Sequence, residues 1–164
     1  MKLPNRTEVR KIVDAHKQLR LNSCFQSAPE LWPKVKGVIR PSEYPEQEIP
    51  QHDGRGYEPY PNGGIKVYGR KRVHFEKITF HHPYNGMKER FRAELGKGNP
   101  VVISLPSGPQ HWHGYLVTEF DGNEFVVFSK TSPPNSLTIE THLSGLLGIN
   151  PKVDCLFMSR PKDV

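Results

Sequence analysis

The chain predicts an α+β domain, with an N-terminal helical part followed by a mainly antiparallel sheet. Two patterns carry that expectation. Before residue 40 the apolar residues recur at helical spacing, and after residue 65 they gather into short β-branched and aromatic runs separated by turn residues. A helix bearing one set of polar residues then packs on a sheet bearing another. At 164 residues, a single domain spanning 1–164 can bury a core without staples.

Val9, Ile12, Val13, His16 and Leu19 form one apolar stripe and predict a helix over 7–19. Residues 24–37 have helical composition ending at Gly37, but Pro29 and Pro33 are expected to interrupt them. From Arg40 to Gly64 the chain holds five prolines and four glycines with hardly an aliphatic residue, so a long loop is expected at about 40–64. Strands are expected at 65–68 and 73–80. A helix follows at 87–95, with Met87, Phe91 and Leu95 on one face and Gly96 as its stop. Three further strands read at 100–105, 112–118 and 124–129, the last two joined by a tight Asp121-Gly-Asn123 turn. Ile139, Leu143, Leu146 and Leu147 predict a helix over 138–147, and 153–159 a closing strand.

Composition narrows the functional classes. The net charge is +6, which suits an anionic partner, but the basic residues are scattered. Only Arg70-Lys-Arg72 clusters, in a turn between strands, and no nucleic-acid partner is expected. No apolar run approaches the roughly 20 residues of a membrane span. The first residues lack the apolar stretch of a secretion signal, so a cytoplasmic protein is expected, with signal-less secretion as an effector the other route. Two cysteines cannot build a disulfide framework. Cys155 belongs to the closing strand and reads as core.

Two distant stretches carry chemistry. Gln18-Leu-Arg-Leu-Asn-Ser-Cys24 sets a cysteine ahead of a helix, where the partial positive charge of the helix end favours thiolate. His111-Trp-His113 opens an apolar strand. A thiolate and an imidazole brought together form a nucleophile, and a side-chain amide upstream (Gln18 or Asn22) with the Cys24 N–H would hold an oxyanion. The histidine pairs His111/His113 and His81/His82 also invite a metal. No carboxylate or cysteine completes a familiar ligand set, so neither a metal nor another cofactor is expected.

Together these stretches resemble the papain-like cysteine peptidases, in particular the compact branch that includes the leader peptidases of bacteriocin transporters and their stand-alone relatives. The resemblance runs loosely over residues 18–160. It rests on Gln18 six residues before Cys24, on Gly98-Asn-Pro-Val-Val-Ile103, and on His113-Gly-Tyr-Leu-Val-Thr-Glu-Phe-Asp-Gly122. It implies Cys24 as nucleophile, His113 as general acid and base, and Gln18 in the oxyanion hole, with a peptide or protein as substrate. His113, nine positions before Gly122, is in register. His111 and Trp112 then line the cleft beside it, as does Asn22. The family's third residue, usually Asp or Asn, falls on Ser129, sixteen after His113. Serine accepts a hydrogen bond but brings no charge. The expected function is therefore a thiol-dependent amide hydrolase. The alternative is a catalytically degenerate module or bacterial effector that engages an acidic partner.

Overall fold

The computed structural model describes residues 2–17, 24–44, 46–47, 64–66, 72–108, 111–131, 136–149 and 155–161. The first half contains α1 (Arg6–Ala15), α2 (Cys24–Lys36), β1 (Glu46–Gln47), β2 (Gly64–Lys66), β3 (Arg72–His81) and α3 (Met87–Gly96). The second contains β4 (Val101–Gly108), β5 (His111–Phe120), β6 (Phe125–Lys130), β7 (Thr138–His142), α4 (Leu143–Ile149) and β8 (Cys155–Pro161). All eight strands join one sheet in the order β1-β2-β3-β8-β4-β5-β6-β7. Every described neighbouring pair is antiparallel. The structure is therefore α+β with an antiparallel sheet.

Because side chains alternate along a strand, the register decides which core each residue joins. Val102 pairs with Leu116, and Leu116 with Phe128. These three share one face with Val126, against Val9 and Val13 of α1 and Ala28, Leu31, Trp32 and Val35 of α2. Val101, Ile103, Leu105, Val117 and Val127 take the opposite face, against Met87 and Phe91 of α3 and Leu143 of α4. Phe91 meets Phe80 and Phe125 edge-on there, at 6.4 and 5.6 Å between ring centres. The sheet is thus a middle layer between two helical ones.

The helix ends follow local chemistry. Asn5 caps α1 by accepting the Glu8 N–H at 2.9 Å. Both α2 and α3 close in a Schellman motif. Val38 and Gly37 donate to Pro33 and Lys34 carbonyls, and Asn99 and Gly98 donate to those of Glu94 and Leu95. Gly37 and Gly98 supply the required left-handed residue, at φ 82° and 79°. The turn between β5 and β6 forms as its sequence suggests: Asp121 Oδ1 accepts the N–H groups of Asn123 and Glu124, and Gly122 takes φ 97°.

Several expectations need correction. α2 is one continuous helix despite Pro29 and Pro33. The missing N–H groups withdraw bonds only from the carbonyls of Phe25 and Pro29, on one stripe. Burial of the helix on every side from Ser27 to Val35 offsets that loss. α1 stops at Ala15, and His16 turns out of it with extended φ and ψ. α3 includes Gly96, and its left-handed stop is Gly98. The helix expected over 138–147 divides. Thr138, Ile139 and Thr141 prefer the pleat and pair with β6, leaving only Leu143–Ile149 helical. The 40–64 segment contributes β1 to the sheet, while 45 and 48–63 lie outside the described residues.

The left-handed glycine gives a direct test. Gly37→Ala has open space for its methyl group but the wrong φ, and should lower stability by about 1–2 kcal/mol in urea denaturation. Gly96→Ala, in right-handed helix with equal space, should leave stability unchanged or raise it by about 0.5–1 kcal/mol.

Candidate active site

β5 and β6 bring His113 and Ser129 together. The His113 Nε2 lies 2.8 Å from Ser129 Oγ, and Ser129 Oγ donates in turn to the Gly114 carbonyl at 2.7 Å. A hydroxyl has one proton. Once Ser129 gives it to Gly114, it can only accept at the imidazole, so Nε2 carries the ring proton and Nδ1 is left as the free base. Ser129 is 1% exposed, which shelters this relay from competing water. Tyr115, two residues along the same face, sets its ring 4.6 Å from that of His113 at 55°.

Burial pushes the His113 pKa below its ordinary 6.5, and no charge among the described residues opposes it. Ser129 fixes the orientation of the ring and, carrying no charge, stabilises the imidazolium less than a carboxylate would. The pair is a neutral base held in one tautomer, unlike the charged couple that an aspartate would form.

Cys24 opens α2, whose 13 residues place it at the positive end of an unbroken helix. Its side chain lies outside the described part of the structure, as do those of His111 and Trp112 at the head of β5. Gln18 and Asn22 lie outside the described residues altogether. The backbone still gives the level of Cys24 along the sheet. Trp32 Nε1 donates to the Pro100 carbonyl at 2.8 Å and Lys36 Nζ to that of Gly98 at 3.3 Å, pinning the C-terminal half of α2 beside the start of β4. From there α2 runs along β5. The eight steps back from Trp32 to Cys24 rise about 12 Å. The five from Pro100 to Leu105, which pairs with His113, span about 17 Å. The helix start therefore lies towards the His113 end of β5.

The faces differ, however. Leu116 points to α2, whereas Leu105, His113, Tyr115 and Ser129 alternate to the opposite side. A Cys24–His113 pair has to form across the head of β5 rather than within the α2–sheet interface.

Sequence reading missed a second group. His16, Glu30 and Lys34 are buried together, with Tyr44 over them. The available signal was Glu30 and Lys34 at i, i+4 in a helix otherwise rich in apolar residues. His81 and His82 are exposed. Among the described residues no three His, Cys, Asp or Glu side chains converge to hold a metal ion, and no described helix is long and apolar enough to cross a membrane. No family model matches the chain, and neither does any curated protein or solved structure.

The relay predicts a tautomer. Nitrogen-detected NMR should show His113 as the Nε2–H form near pH 7.5, and Ser129→Ala should give a mixture of forms. Ser129→Asp should raise the His113 pKa above the wild-type value. In the wild type the folded ring binds its proton less readily than the unfolded one. The contribution of His113 to stability is therefore complete above about pH 6.5 and is lost as the pH falls towards the folded value.

Proposed function

We propose that the chain is a cysteine-dependent amide hydrolase of the papain-like kind, with Cys24 as nucleophile and His113 as base. The observation that carries this reading is the Ser129 relay, which leaves Nδ1 of His113 unprotonated and the ring fixed. Nδ1 takes the thiol proton and the sulfur attacks a carbonyl carbon. The Cys24 N–H and the Gln18 amide hold the resulting oxyanion. The imidazolium returns its proton to the leaving amine, giving a thioester and a free amine. Water activated by the same nitrogen then releases the acid. Continuity of α2 through Pro29 and Pro33 supports the thiolate, because the helix dipole at Cys24 is undivided. A peptide or protein amide is the substrate class.

A second reading is a module that kept this arrangement and lost its chemistry, its net charge of +6 engaging an acidic partner. The opposite faces of α2 and His113 favour it, as does the uncharged Ser129.

Thiol alkylation separates the two, with Cys155 changed to serine so that one thiol is read. Between pH 6 and 7, Cys24 should react with iodoacetamide faster than a free thiol. His113→Ala should slow it about tenfold or more, and Ser129→Asp should quicken it at pH 6. Equal rates in wild type and His113→Ala would sink the hydrolase.

A further inference from the structure

Three polar side chains lie buried where α1 ends against α2, and none completes its hydrogen bonds. His16 Nε2 is 3.1 Å from Glu30 Oε2, in electrostatic contact but off the hydrogen-bonding axis. Neither ring nitrogen of His16, nor Lys34 Nζ, has a hydrogen-bond partner among the described residues. His16 and Lys34 are each 2% exposed and Glu30 is 5% exposed. Groups this deep are almost always satisfied, so the cluster is costly to keep closed.

Tyr44 closes it. Its ring centre is 3.7 Å from Lys34 Nζ, and its ring lies 5.3 Å from that of His16. Its hydroxyl accepts the Lys17 N–H at 2.9 Å. Lys17 directly precedes Gln18, and Lys34 belongs to the helix that Cys24 opens. Tyr44, at the root of the 40–64 segment, therefore ties the end of α1, at His16 and Lys17, to Lys34 near the C-terminal end of α2.

We propose that Tyr44 is a latch that holds the end of α1, at His16 and Lys17, against α2, and that acid opens it. The latch rests on the contacts of Tyr44 and not on the hydrolase reading.

The direction follows from charge. Two bases, His16 and Lys34, share one carboxylate, Glu30. From β6, Lys130 adds its field, its own Nζ being held by the carbonyls of Asp14 and Ser136. Burial is the largest cause lowering the pKa of both bases, to about 8 for Lys34. Lys34 and Lys130 push His16 the same way, against Glu30. Opening returns both bases to water and to their ordinary affinity for protons. The closed form thus binds fewer protons than the open one, and falling pH favours opening. For His16 the step begins below about pH 6.5, with opening rising at most about tenfold per pH unit.

Amide hydrogen exchange on the full chain, corrected for the intrinsic effect of pH, reads the latch without requiring any thiol chemistry. In the wild type the Lys17 amide should be protected at pH 7.5 and exchange several-fold faster at pH 5.5. Tyr44→Phe keeps the ring and removes the acceptor, and should raise Lys17 exchange at pH 7.5 about tenfold with the circular dichroism unchanged. Tyr44→Leu should abolish the protection at both pH values. His16→Gln combined with Lys34→Met removes both bases and should flatten the pH step. Equal Lys17 exchange in wild type and Tyr44→Phe overturns the latch, and so does a pH step that survives the double variant. Cys24→Ser should keep the full step. If it does while Cys24 alkylates no faster than a free thiol, the latch stands and the hydrolase reading falls.

Discussion

The period of two along β5 governs the arrangement of this molecule. One strand serves both cores because its successive side chains enter opposite layers. Leu116 meets α2, and Val117 joins the layer of α3 and α4. A shift of one residue would exchange the two sets and push His113 and Tyr115 into the helix interface. The pairing of five consecutive residues with β4 resists that shift, since Val101 to Leu105 alternate in step with Val117 to His113. The same constraint that builds two dry cores also fixes which way the imidazole faces.

α2 is the second organising element. A helix buried on all sides has no solvated face on which to place charge, yet this one carries Glu30 and Lys34. At the C-terminal end, Trp32 and Lys36 reach the backbone around Pro100, and a Schellman turn satisfies the last carbonyls. The His16, Glu30 and Lys34 cluster, with Tyr44 above it, lies along the same stretch of α2, against the end of α1. Burying each large apolar side chain of α2 contributes about 1.5–3 kcal/mol.

The chemistry of His113 depends on what Ser129 lacks. An aspartate at that place would orient the ring and stabilise its charged form, raising its affinity for protons. Serine retains only the orientation, through a bond accepted from Nε2 and one given to Gly114. In a buried setting the result is a ring that stays neutral at the pH where a base is useful. On the proposed hydrolase reading, the helix dipole at Cys24 would then be the main electrostatic support for thiolate, tying reactivity to the integrity of α2.

Much of the fold was written locally. The period-two runs at β4, β5 and β6, the Asp121–Asn123 turn and the helical stripe of α1 depend on nearest neighbours, so the sequence by itself determined them and the α+β class. The sixteen-residue step from His113 to Ser129 was also legible, because a short hairpin fixes which residues of two adjacent strands can meet. Features that depend on partners far along the chain were set by packing instead. Residues 138–142 joined β6 as a strand because the sheet edge offered hydrogen bonds that an isolated segment lacks. α2 ran through two prolines because burial outweighed the lost bonds. His16 left a helix whose stripe it matched, and with Glu30, Lys34 and Tyr44 formed a cluster drawn from three separate segments. The face of the sheet to which His113 points was also a tertiary outcome: alternation sets only relative directions along β5, and the packing of α1 and α2 chose the side.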